Sequence, residues 1–172
     1  MSKRRFVLGQ GIVEFALVLP IFLTIVLGIF ELGRAVWVYS AISTAVREAA
    51  RYGSSVGETD DGTPHYIDCA GMRAIARQHG LPGNVQDADI LISYDRGPGT
   101  AILGSCPVSQ ASIQLGNRVI VSVSGHYVAA AYLPLFDLPE ITFTSDARRS
   151  IVKALILYSN PVISTPWPTA TP

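Results

Sequence analysis

The chain has 172 residues, and 13 Lys and Arg balance 13 Asp and Glu, so its formal net charge is zero. Only 15% of it is charged and 49% is hydrophobic. Acids outnumber bases over residues 53–160, so no basic face invites nucleic acid, and the apolar balance suits a chain whose surfaces meet other surfaces. No Ser-His-Asp order with a nucleophile motif, no HExxH, no Gly-rich phosphate loop and no paired-carboxylate signature appears. The chain is therefore read as a non-enzyme, with no catalytic residue, cofactor or metal assigned.

Lys3, Arg4 and Arg5 precede an apolar run from Gly11 to Phe30 that holds a single carboxylate, Glu14. About 20 residues at 1.5 Å rise cover about 30 Å, the hydrocarbon thickness of a bilayer. The basic cluster places the N-terminus in the cytoplasm and everything after Phe30 outside. The run exceeds a signal-peptide core and continues into an amphipathic helix, which predicts a retained anchor. A basic leader over residues 1–9 is followed by one helix over 10–52. From Gly9 that helix measures roughly 65 Å, about twice what spanning needs. Its second half is expected to pack on something outside the membrane.

Two residues in the run are out of character. A carboxylate at the bilayer centre costs about 2.5–3.5 kcal/mol, so Glu14 either reaches headgroup water or pairs with a positive partner. Pro20 removes a backbone donor. It marks a mild kink or a point where the helix stretches inside an assembly.

Beyond Glu31, Leu32, Val36, Tyr39, Ile42 (or Ser43), Val46 and Ala50 recur every three or four residues, an apolar stripe facing a partner. Ala41, Ala45 and Ala49 form a row of small side chains, which lets helices approach closely. Either one row holds the chain's own domain and the other meets neighbouring helices, or both rows bury under the domain.

Gly53 stops the helix, and a globular part follows over residues 53–160. Glu58 to Pro64 lacks the alternating ligands of a calcium loop and reads as a solvated turn. A short helix is predicted over Tyr66–His79, ended by Gly80-Leu81-Pro82-Gly83. Alternation predicts strands over Asp89–Asp95, Arg118–His126 and Ile141 to about Val152, with a turn at Arg96–Gly99. Ile90, Ile92 and Tyr94 share one face of the first strand, and Val119, Val121 and Val123 one face of the second. The fold class is α+β, with a long N-terminal hydrophobic helix packed on a small, mostly antiparallel sheet. Cys69 and Cys106 read as one disulfide in an oxidising compartment, worth nearly 4 kcal/mol on a chain-entropy estimate, or as two buried thiols. His65, His79 and His126 have no ligand spacing with either cysteine. Residues 161–172 form a Pro/Thr-rich tail that is free, glycosylated or laid on a neighbour.

The string Gly9-Gln10-Gly11-Ile12-Val13-Glu14 resembles a type IV prepilin cleavage site, with its basic leader, a Gly before the cut and a Glu at the fifth mature position. The longer run, through Val13-Glu14-Phe15-Ala16-Leu17-Val18-Leu19-Pro20, Gly28-Ile29-Phe30-Glu31-Leu32-Gly33-Arg34 and Ala45 to Tyr52, resembles the TadE-like family of tight-adherence pilus systems. The resemblance implies a pilin-like architecture and cleavage between Gly9 and Gln10 by a membrane prepilin peptidase. It also implies that the new amine at Gln10 faces Glu14 of a neighbouring subunit, each relieving the other's desolvation, with Glu14 and Pro20 as assembly residues. Its implied partners are membrane lipid before assembly, the pilus assembly platform, and copies of this chain or other pilin-like subunits in a helical filament. The subunit, minor or main, would leave the inner (cytoplasmic) membrane for an extracellular pilus. From another class, a permanently anchored extracytoplasmic binding module fits the same anchor.

Overall fold

The structure, a computed structural model, describes residues 5–129 and 140–152. Lys3 and Arg4 of the predicted leader, residues 153–160 and the 161–172 tail lie outside the described residues. The chain runs through α1 (Arg5–Ser54), α2 (Cys69–Gly80), β1 (Ile90–Asp95), β2 (Ile102–Ser105), β3 (Arg118–Tyr127) and β4 (Ile141–Ser150). The four strands form one antiparallel sheet in the order β2-β1-β3-β4. This is the expected α+β arrangement, a long apolar helix on a small antiparallel sheet.

Helix α1 is continuous over 50 residues, from Arg5 through Pro20 to Ser54. It therefore takes in the end of the predicted leader and runs two residues past the expected last helical residue, Tyr52, through the expected stop at Gly53. Helix α2 begins at Cys69, not Tyr66. Asp68 explains the difference: one carboxylate oxygen accepts from the Gly71 amide at 2.9 Å, an N-cap bond. Its other oxygen accepts from the Tyr52 hydroxyl at 2.6 Å, tying the cap of α2 to the end of α1. Tyr66, left outside the helix, is buried, and its carbonyl accepts from the Tyr94 hydroxyl at 2.7 Å.

Three strands are expected and four are found. The extra one, β2, is four residues long and pairs only with β1. The expected turn at Arg96–Gly99 joins the two as a hairpin. Gly97 and Gly99 both take positive φ there, which glycine adopts without the penalty of a Cβ. Strand β4 ends at Ser150, two residues short of the expected end.

The core lies where α1 and α2 cover one face of the sheet. Ile90, Ile92 and Tyr94 from β1 and Val119, Val121 and Val123 from β3 are all buried, on the alternation the sequence shows. They meet Ile42, Val46, Ala49, Met72 and Ala76. Strand β3 crosses α1 so closely at Gly125 that any Cβ there would collide with Ile42, and Gly83 closes the other side of the same notch. At the far end of the sheet Arg118 binds Asp95 through two parallel bonds of 2.7 and 2.6 Å. Asp95 is 4% exposed, and the guanidinium holds its carboxyl below the usual carboxylate range. Cys69 and Cys106 form the disulfide, joining the first turn of α2 to the residue after β2.

Candidate functional site: an uncovered helix and its junction with the sheet

From Gln10 to Phe30 every residue of α1 is exposed. Ile12 is 70% and Ile29 67% exposed, so the chain's own domain covers none of this stretch. Among the described residues, α1 is the one helix long and apolar enough to cross a membrane. The predicted processing pair, Gly9 and Gln10, lies inside the first helical turns. The Gln10 side-chain amide donates to Glu14 Oε1 at 3.1 Å, one turn along the same face. Pro20 leaves the carbonyl of Ala16 without its usual amide donor. Thr24 donates its hydroxyl to the Pro20 carbonyl at 2.8 Å, and the helix runs on.

The expected stripe divides between two faces. Ile42, Val46 and Ala50 are buried against the domain, whereas Leu32, Val36 and Tyr39 are 66%, 59% and 51% exposed. The face that meets the sheet is rotated toward Ala35, Val38, Ile42, Ala45 and Ala49. Both Ala45 and Ala49 from the small row are fully buried there. Small side chains let the helix backbone approach the strands, and Gly125 accepts Ile42 from the opposite side. Tyr39 still touches the domain's margin, with its ring edge-on to Phe143 at 5.9 Å.

At the junction of the uncovered and covered halves sits a cluster that pattern reading does not assemble. Glu31 accepts two bonds from Arg34 Nη1, at 3.0 and 2.9 Å. The Tyr127 hydroxyl at the end of β3 lies against the same carboxylate and is 3.0 Å from the Glu31 carbonyl. Arg34 places its guanidinium carbon 5.4 Å from the centre of the Tyr127 ring, a cation–π contact. The Glu31 side chain is 14% exposed, so its charge is largely withdrawn from water and met by these partners. Burial, and then the Glu31 carboxylate, push the Tyr127 phenol upward in pKa. The i,i+3 spacing of Glu31 and Arg34 is visible in the sequence, but Tyr127, 96 residues away, is not.

On the solvent face of β3, His126 lies between Asp89 (3.3 Å) and Glu140 (2.8 Å). The Asp89 bond chiefly raises its pKa. A cleft of about 330 Å³ between α1 and α2 is lined by Glu48, Arg51, Tyr52, Ser55, Ile75 and His79. Among the described residues no three His, Cys, Asp or Glu side chains converge as a metal site. Among the described residues, α1 carries a continuous apolar surface over residues 10–30 that the sheet domain leaves bare.

The comparison with known families falls on that helix. Residues 9–51 match the family described as TadE-like protein. The resemblance carried by Gly9 to Tyr52 is thus borne out over the segment that bears it. The TadE-like segment begins at the predicted processing pair, takes in Glu14, Pro20, Glu31 and Arg34, and ends three residues before α1 does. The sheet domain lies beyond it. No curated protein and no solved structure matches the chain.

Proposed function

We propose that this protein is a structural, pilin-like subunit of a tight-adherence pilus. It is inserted in the cytoplasmic membrane through α1 and assembles through that helix into an extracellular filament. The observation that carries the reading is a TadE-like helix with twenty consecutive residues, 11–30, that its own fold leaves uncovered. Such a surface is stable in lipid or against other helices, and not in water.

The mechanism follows from the residues. A peptidase acting in the membrane cuts between Gly9 and Gln10, which removes Lys3, Arg4 and Arg5 and leaves an ammonium at Gln10. Glu14 of a neighbouring subunit meets that ammonium, and the pair removes two desolvation costs at once. Helices then bundle by their apolar surfaces, with the sheet domains outside. The Ala45 and Ala49 row is occupied by the chain's own sheet. Subunit contacts therefore use the residues before Glu31 and the outward Leu32, Val36 and Trp37.

The test is mass spectrometry of the N-terminus together with fractionation of sheared surface material. A chain starting at Gln10 and found in sheared filaments supports the reading. A chain starting at Met1 and confined to the membrane fraction makes it a permanent anchor instead. Glu14→Ala should abolish most filament yield while leaving the folding of the domain unchanged; full yield would remove Glu14 from assembly.

A further inference from the structure

We propose that the end of the sheet domain nearest the membrane is seated in the outer headgroup layer, so that the protein meets lipid through its domain as well as its helix. This rests on the reading above that α1 spans the bilayer. The charges of the helix set the depth. Glu14 and Arg34 lie 20 residues apart in one unbroken helix, a separation of roughly 30 Å, which matches the hydrocarbon thickness. Between them the other charge is Glu31, and it is satisfied by Arg34 and Tyr127. With Glu14 at the inner boundary, the Glu31–Arg34–Tyr127 cluster lies at the outer one.

Trp37 and Tyr39 follow within about two turns and are 63% and 51% exposed. Helical side chains lean toward the N-terminus, so both rings drop back toward the boundary. Trp and Tyr are the residues that favour this layer, because an apolar ring and a polar tip are both accommodated there. Val36 and Leu32, 59% and 66% exposed, continue the Tyr39 side of the helix one and two turns further down.

The domain descends to the same level. Strand β3 runs antiparallel to α1, with Gly125 against Ile42 and the Tyr127 hydroxyl on Glu31. One residue further, Val128 is 63% exposed, and Ile141, the register partner of Tyr127, is 44% exposed. Two separate elements thus present apolar side chains at the depth where the uncovered surface of α1 ends. Lipid is the occupant we assign, because Val128 and Ile141 stand at the depth where the bare surface of the spanning helix reaches its outer charged cluster, and a headgroup layer accommodates both the apolar side chains and the neighbouring charges of Arg34 and Glu140.

The chain holds two tryptophans, Trp37 and Trp167. Trp167→Phe makes Trp37 the sole reporter of its own depth. Trp37→Phe with Trp167→Phe and Val128→Trp moves the reporter to the end of β3, where the exposed site has room for it. Each full-length variant is placed in phosphatidylcholine/phosphatidylglycerol vesicles and floated. Emission is then read with lipids brominated high on the acyl chain and with iodide in the water. We expect both variants to float, to lose most of their emission to the brominated lipid and to resist iodide. If the Val128→Trp protein floats but is quenched by iodide and not by brominated lipid, the domain stands clear of the bilayer. That result overturns this proposal and leaves the spanning reading intact. Protection from both quenchers that grows with protein-to-lipid ratio assigns the patch to a second copy and also overturns it. A chain that does not float overturns the spanning reading and this one together.

Discussion

The two halves of α1 have the same backbone and opposite surroundings. Before Glu31 the side chains are large and bare: Phe15, Ile21 and Ile29 are each more than 60% exposed. Beyond Ala35 the buried face is built from small and medium residues, Val38, Ile42, Ala45, Val46 and Ala49. The contrast teaches that residue size along this helix reports the kind of neighbour. Bulky residues cover area in a medium that conforms to them, whereas alanines mark where a rigid sheet must come close. The Glu31–Arg34–Tyr127 cluster is the border, where both oxygens of a largely buried carboxylate accept from one Arg34 nitrogen and a phenol lies against it.

Substitutions on either side of that border should differ sharply. Ile42→Ala empties the notch between Gly83 and Gly125 and should destabilise the domain by about 2–5 kcal/mol in urea unfolding of the detergent-solubilised chain. Ile21→Ala, in the bare half, should leave that unfolding unchanged. Equal losses from the two would show that the halves are not distinct. Gly125→Ala approaches the same notch from the sheet and should cost about 1–3 kcal/mol by overpacking. An Ile42→Val change in the same chain should recover part of the loss, because it frees the space the new methyl needs.

Tyr127→Phe removes the hydroxyl from Glu31 and keeps the ring under Arg34. It should cost about 1 kcal/mol, because Arg34 still satisfies the carboxylate. The smallest effect belongs to His126, away from the border. Its folded pKa is raised, chiefly by Asp89. Its contribution is therefore complete below the unfolded value of about 6.5 and is lost as pH rises through the higher folded value. The urea midpoints of the wild-type chain and His126→Gln should differ at about pH 5.5 and converge at about pH 9. A gap that widens with pH would contradict the ion pairs with Asp89 and Glu140.

Much of the fold is legible in the chain because single-face burial leaves a period. The alternation of Val119, Val121 and Val123 matches the buried face of β3, and Ile90, Ile92 and Tyr94 are buried as their pattern suggests, although Ser93 and Asp95 on the other face of β1 are buried too. What escapes reading is set by partners distant in sequence. Strand β2 has four residues and one neighbour, so it carries no alternation of its own. The packing face of α1 is rotated from the stripe Leu32, Val36, Tyr39, whose large side chains stand on the side that the domain leaves exposed. That rotation is set by the sheet, where Gly125 leaves room for Ile42 and the buried Ala45 and Ala49 let the backbones approach. Of the candidate site, Glu14 and Pro20 stand out from their composition alone. Tyr127 does not, since its place beside Glu31 depends on β3 returning along α1.

The single unbroken helix has a mechanical corollary. Its lower half has nothing of its own to hold, and its upper half is locked to the head by interdigitated small residues and a hydroxyl clasp. A pull applied to the head reaches the lower half as axial tension along covalent backbone and its hydrogen-bond ladder. The head–rod seam is loaded sideways, in shear, so many contacts resist together instead of peeling open one after another.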